Sequence, residues 1–376
     1  MEKMRDYLGS PYIIDGIRLG ATPIAMLRSA GGEPPREDGE LEPIVDESLD
    51  PGPSQGDFSL DKAGEYLSMI NATPRRLPVE HAGAYSKISV ARAIIDTLWL
   101  KGHFSLDDLV VSAAWKWDMS KVGNPAAFYG SVEAVCDYLD SLGLRLKECG
   151  FAEARACSFS ARATLSGDMP QDDEDSEEEE YITDYPLRKV RAKMGRSRKC
   201  PQLSSGGPQD WIIFVPFDTC NFRLGGSMLS QVAGTPGGTA PEIIDPDYFM
   251  DCFEVVRELV EDRVVTAGVT VGDGGLMNAL GKMLQGRGME ADLGGIARSY
   301  GNSSLVQMLF AEVPGVIIEI KDTDYDYIDA EFLLQDVAYY PLGHPGGEGL
   351  RVASGDASDI SGILRALMGD ASEGED

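Results

Sequence analysis

Positive charge, histidine and long apolar runs are what this chain has least of. Its 376 residues carry 33 Lys and Arg against 62 Asp and Glu, a formal net charge of −29. Binding to nucleic acid or to an anionic membrane surface rests on neutralising phosphates with Lys and Arg. That balance excludes both as general partners, although a pocket for one nucleotide needs only local positive charge. The three histidines, His81, His103 and His344, lie far apart without metal-ligand spacing, which leaves them as surface or core residues. Cys136, Cys149, Cys157, Cys200, Cys220 and Cys252 have neither the paired spacing of a zinc site nor the density of a secreted scaffold, and read as reduced and structural. No apolar run reaches the ~18 residues of a membrane span, and Met1-Glu2-Lys3-Met4-Arg5-Asp6 opens no signal peptide. A cytoplasmic protein is expected.

What the chain does have is enough apolar residues, 43%, to fill more than one core. Two stretches fall outside that pattern. Residues 31–57 carry Pro34, Pro35, Pro43, Pro51 and Pro53 among acidic residues, with too few apolar groups to fold by themselves. Residues 172–180 are acidic at every position except Ser176, and Arg188, Lys189, Arg191, Lys193, Arg196, Arg198 and Lys199 follow. Opposite blocks this close can pair or recruit a partner, but a solvated insertion over 166–208 is the simpler reading.

Elsewhere helices alternate with strands. Val90 to Leu98 reads as a buried helix, Leu109 to Trp115 as a short strand, and Val132, Val135, Cys136 and Leu139 form one helical face. Trp211 to Val215 alternates too little to be half exposed, and Asp245-Pro246 supplies an N-cap and a first-turn proline for a helix with Phe249, Phe253, Val256 and Val260 on one stripe. A strand Val264–Val271, a helix Leu276–Leu284 and a strand Val316–Ile320 follow. The fold class is α/β (α+β).

Between the first of these strands and its helix stands Gly272-Asp273-Gly274-Gly275. Glycines there let backbone N–H groups approach phosphate oxygens, and a helix begins with a positive dipole end. The same corner serves more often as a plain tight connection.

Three motifs raise its specificity. Arg223-Leu224-Gly225-Gly226-Ser227-Met228-Leu229, Gly272-Asp273-Gly274-Gly275-Leu276 and Leu309-Phe310-Ala311-Glu312-Val313-Pro314-Gly315 resemble, in order and spacing, motifs of phosphoribosylformylglycinamidine synthase, an ATP-dependent ligase of the aminoimidazole ribonucleotide synthetase-like superfamily. Upstream, Gly64-Glu65-Tyr66-Leu67 to Thr73-Pro74, the helix from Val90, and Ser112 to Trp117 resemble the second synthetase-like half of that enzyme. The resemblance covers most of residues 60–165 and 209–345. It implies an N-terminal sheet domain over 1–165, whose sheet pairs with another synthetase-like unit, and a C-terminal α/β domain over 209–345; residues 346–376 read as an acidic tail.

It also implies a reaction of de novo purine biosynthesis. ATP phosphorylates the amide oxygen of formylglycinamide ribonucleotide, and ammonia from glutamine then displaces phosphate to give an amidine. The cofactors implied are ATP or ADP with Mg²⁺. The partners implied are another synthetase-like unit, as a homodimer or as the missing half of the enzyme, and a glutaminase. Neither the first half nor a glutaminase is recognisable here, so a fragment of a longer chain is one expectation. A non-catalytic scaffold subunit that binds synthetase-like partners is the alternative, and no catalytic residue is nominated.

Carried over residue by residue, the nucleotide-binding set is Asp15, Arg92, Asp96, Ser158, Ser160, Asp273, Gly274 and Gly275, with Asp15 and Asp96 as metal ligands. The family's Glu and Asn, one helical turn apart, fall on Arg92 and Asp96, and a guanidinium has donors but no acceptor for Mg²⁺. If Ser158 and Ser160 match the family's two serines, its Lys has become Ala156 and its acidic ligand Cys157. Its His-Asp before the Asp-Gly-Gly turn is Val269-Thr270. Arg92 either holds a nucleotide phosphate directly or fills the vacated site by pairing with Asp96 or Asp15, the reading that charge compensation favours.

Overall fold

The computed structural model describes residues 6–34, 41–166, 192–301, 304–347 and 350–353. The acidic stretch 172–180, the basic Arg188, Lys189 and Arg191, and the end of the acidic tail, 354–376, lie outside the described residues. The first part of the chain forms β1 (Tyr12–Ile14), β2 (Ile17–Arg18), α1 (Pro23–Ala30), β3 (Ile44–Asp46), α2 (Ala63–Ala72), α3 (Ala82–Ile95), β4 (Leu100–His103), β5 (Leu109–Trp117), α4 (Asn124–Ser141), β6 (Arg145–Glu153), β7 (Ser158–Leu165) and β8 (Lys193–Arg198). The second part forms β9 (Trp211–Pro216), α5 (Met228–Ala233), α6 (Pro246–Glu261), β10 (Val265–Thr270), α7 (Gly275–Leu284), β11 (Met289–Asp292), α8 (Gly294–Ser299), α9 (Leu305–Phe310), β12 (Gly315–Ile320), α10 (Tyr325–Leu334), β13 (Tyr340–Gly343) and β14 (Leu350–Ala353).

In the first part, β5 lies between β6, to which it is parallel, and β7, to which it is antiparallel. Its inward side chains fix the layer beneath. Trp115 donates its indole N–H to Ser131 Oγ at 2.9 Å, and Trp117 donates to the Asn124 carbonyl at 2.8 Å, so both large rings bury against α4 without stranding a donor. The outer face carries small and polar residues: Ala114 lies opposite both Gly150 and Ser160, and Lys116 opposite both Ala152 and Ser158.

The proline-rich segment does not stay apart from this layer. Residues 44–46 pair in parallel with β1, and the buried Asp46 carboxylate accepts the N–H groups of Gly123 and Ala126, each at 2.9 Å. The start of α4, whose N-cap is Gly123, thereby gains the anionic cap that its own sequence lacks. Likewise residues 193–198 of the charged stretch pair as β8 with β4 instead of remaining solvated loop.

In the second part, the sheet order is β10-β12-β9-β13, and every pairing is antiparallel, which makes α+β the apt description. Strand alternation divides its side chains between two cores. Ile213, Val215, Val316, Ile318 and Ile320 face the α6 side chains Phe249, Phe253, Val256 and Val260. Ile212, Phe214, Ala267, Val269 and Ile317 face Leu276, Leu280 and Met283 of α7, together with Tyr66, Leu67 and Ile70 of α2. All six cysteines are free thiols, and only Cys149 is exposed. Among the described residues no helix is long and apolar enough to cross a membrane.

Candidate functional site

The glycine corner is built from β10 outward. Strand β10 leaves the sheet at Thr270, the Gly275 N–H closes a turn on the Gly272 carbonyl at 3.0 Å, and α7 begins. Gly275 sits at φ +64°, and a Cβ there would meet the Ala311 carbonyl oxygen at 2.6 Å. A side chain at this position is therefore excluded twice, by backbone conformation and by space.

The amide expected to face a phosphate already has an anion. Gly274 N–H donates to Glu312 Oε1 at 3.0 Å, and Met228 N–H, at the start of α5, donates to the same oxygen at 2.9 Å. Glu312 is fully buried. One carboxylate therefore ties together the Arg-Leu-Gly-Gly-Ser-Met loop, the Gly-Asp-Gly-Gly turn and the segment between α9 and β12. It also occupies the positive ends of two helices.

Two arginines balance that charge. Arg75 Nη1 donates to Glu312 Oε2 at 2.9 Å and pairs with Asp273, while Arg92 Nη1 donates to Asp273 Oδ1 at 3.0 Å and its Nη2 lies 3.6 Å from Glu312 Oε2. The Arg75 guanidinium also lies over the ring of Tyr85, 4.6 Å from its centroid, and the Tyr85 hydroxyl donates to the Gly225 carbonyl at 3.0 Å. Burial pushes the Asp273 carboxyl up, but the Arg75 and Arg92 guanidiniums outweigh it and hold the group below its ordinary value.

The carried-over residues separate into four places. Arg92, Asp273, Gly274 and Gly275 meet at this corner. Asp96 follows Arg92 by one turn, but its carboxylate accepts the Thr270 hydroxyl at 2.6 Å, and Thr270 in turn accepts the Trp99 indole N–H at 2.9 Å. Asp15 stands exposed in the β1–β2 turn and accepts Ser48 N–H at 2.9 Å. Ser158 and Ser160 lie exposed on β7. Arg92 thus compensates buried charge, as its chemistry requires, but its partners are Asp273 and Glu312 instead of Asp96 or Asp15.

Mg²⁺ does not fit the residues present. Asp273 and Glu312 already face two guanidiniums, Asp15 and Asp96 hold different partners on different elements, and among the described residues no group of three or more His, Cys, Asp or Glu side chains could hold a metal ion. Glu312 and Arg75 were not singled out from the sequence. The signal for Glu312 was available: a single charge inside the apolar run from Leu309 to Ile318 has to be paired if it is buried.

Apart from the corner residues there is an open cavity of about 480 Å³, within the range of small-molecule sites. It is lined by the start of α3, by α4 as far as Ala134 and by residues 48–51 and 239–242, with Lys87, Arg223, His81, Glu80 and Glu242 as its charged or titratable lining. Arg223 Nη1 donates to Thr239 Oγ1 at 2.8 Å, and burial pushes the His81 imidazole down from its ordinary value.

Residues 208–326 match the family model described as AIR synthase related protein, C-terminal domain. The fold and the three joined motifs agree with an AIR synthase-related domain there. Over a longer stretch the chain is similar to phosphoribosylformylglycinamidine synthases. It is 26% identical over 263 residues to the probable chloroplastic/mitochondrial synthase of Arabidopsis thaliana, covering 69% of this chain and 17% of that protein. Over 279 residues it is 26% identical to the Drosophila melanogaster synthase, covering 71% of this chain and 20% of that protein. It therefore spans about a fifth of the length of the curated relatives it matches. Among solved structures, T. maritima PurL complexed with FGAR superposes with a TM-score of 0.53 at 12% identity, covering 79% of this chain and 46% of that one. That likeness bears on the fold.

Proposed function

We propose that the chain is one synthetase-like unit of a phosphoribosylformylglycinamidine synthase-like assembly of de novo purine biosynthesis, which amidates formylglycinamide ribonucleotide at the expense of ATP. The observation that carries the reading is the convergence of the three glycine motifs on Glu312, in a chain whose relatives are such synthases. Residues 1–165 and 209–345 are the two halves of the unit, and the cytoplasm is where it works. Another synthetase-like unit and a glutaminase supply the remaining parts.

The phosphate-bearing substrate enters the open cavity, where Lys87 and Arg223 are the cations available to it and Glu80 and Glu242 the opposing charges. T. maritima PurL complexed with FGAR, and the same protein complexed with AMPPCP, support a ribonucleotide and a nucleotide as the ligand classes to test. Calorimetric titration of the chain with formylglycinamide ribonucleotide and with ATP comes first, followed by an ammonia-dependent assay for the amidine with and without the partner unit. Binding that Lys87→Ala and Arg223→Ala each weaken about tenfold supports the reading. A folded chain that binds neither ligand, alone or with the partner unit, defeats it.

A further inference from the structure

We propose that Arg75 and Arg92 are a built-in dication at the glycine corner, neutralising Asp273 and Glu312 so that the three motifs hold together without a divalent cation. The charges close: two guanidiniums face two carboxylates, all four groups on contacting segments. The pair spans the molecule, since Arg75 follows α2 and Arg92 lies on α3, while Asp273 and Glu312 come from the loops that precede α7 and β12. Arg75 Nη2 and Arg92 Nε are buried without a hydrogen-bond partner. Each guanidinium is thus under-used as a donor while its charge is fully engaged, the pattern of a counter-ion. A hydrated Mg²⁺ would need carboxylate oxygens of Asp273 and Glu312 as ligands, and with both arginines in place Asp273 Oδ1 and Glu312 Oε2 already face guanidiniums. Guanidinium charge delivered along side-chain stems from α3 and the loop after α2 meets the same electrostatic need.

This inference concerns how the corner is held, and its test reads stability instead of turnover, so it stands or falls separately from the proposed function. Thermal unfolding of the full chain is measured in EDTA and in millimolar Mg²⁺, Ca²⁺ or Mn²⁺, with ionic strength held constant by NaCl. The wild-type midpoint is expected to be the same in all of them. Arg75→Met with Arg92→Met keeps apolar stems but leaves the two carboxylates uncompensated. Its midpoint is expected to fall in EDTA and to recover by at least about 3 °C in millimolar divalent cation, with the recovery abolished by adding Asp273→Asn. A double variant no more responsive than the wild type overturns the proposal. So does a wild-type midpoint that divalent cations raise and that Asp273→Asn renders insensitive. If the double variant does not fold in any condition, Arg92→Met alone decides: a smaller cation-dependent rise supports the proposal, and no rise defeats it.

Discussion

Glu312 has no exposed surface, yet it accepts two backbone N–H groups and two guanidiniums approach it. Removing it leaves those donors and charges buried without their partner, the costly direction for a buried ion pair. Glu312→Ala is expected to destabilise the fold by about 3–5 kcal/mol in urea denaturation, and Glu312→Gln by less, because its carbonyl oxygen can still accept the two amides. A loss below ~1 kcal/mol for the alanine variant would show that Glu312 does not hold the loops. Asp273 contributes on the acid side. Its folded value lies below the unfolded one, so its contribution is fully present above the unfolded value, near ~3.9, and is lost as pH falls through the folded value. Asp218 acts oppositely. Burial raises its carboxyl despite backbone donors from Cys220, Ile244 and Asp245, so acidification through its folded value relieves a cost. Denaturation of Asp273→Asn between about pH 2 and 5 is expected to show a flatter acid limb than the wild type, and an unchanged limb would remove Asp273 from that role.

At the scale of elements, one arginine fastens the second core helix to the first part of the chain. Arg257 of α6 donates to the Leu98 and Leu100 carbonyls, each at 2.8 Å, bonds also to the Gly102 carbonyl, pairs with Glu261 at 2.8 Å and lies 4.0 Å from the Phe104 ring centroid. Lys keeps the charge but not the fork, so Arg257→Lys is expected to cost about 1–3 kcal/mol by chemical denaturation; a cost within error of zero would mean that the carbonyls find other donors. How legible each element was depends on how it is buried. Strands β9, β10 and β12 and helices α6 and α7 stood out, because burial on both faces, or along one stripe, leaves an apolar pattern, and Asp245 does cap α6 through Tyr248 N–H at 3.1 Å. Strands β6 and β7 left little pattern: β6 buries only Leu146 and is otherwise largely exposed, and β7 is mixed. Strand β3 was hidden among the prolines around it, and its order comes from β1 and from the Asp46 cap, contacts that no local window contains. The corner was half legible for the same reason. Asp273, Gly274 and Gly275 are adjacent in sequence, whereas Arg75 reaches them across 198 residues.

For the whole molecule, the outer face of the β6-β5-β7 sheet and the net charge make opposing demands. A row of Gly150, Ala114 and Ser160 crosses three strands with no long side chain in it, so it leaves space for a second sheet, as the proposed pairing with another synthetase-like unit requires. Two copies of this chain, however, bring together formal charges of −29 each, and that repulsion extends over about a Debye length, roughly 10 Å at 0.1 M salt. Self-pairing should therefore strengthen as salt screens the repulsion, while pairing with a unit of opposite surface charge should weaken. Native mass by light scattering across a salt series separates the two. If the partner is a second copy, the mass rises from one chain toward two with added salt, and Ala114→Glu, which puts a long charged side chain at the centre of the row, holds it at one chain throughout. A wild-type mass of one chain at every salt concentration excludes the homodimer and directs the search to a different synthetase-like partner. A dimer unaffected by Ala114→Glu would place the contact on another face.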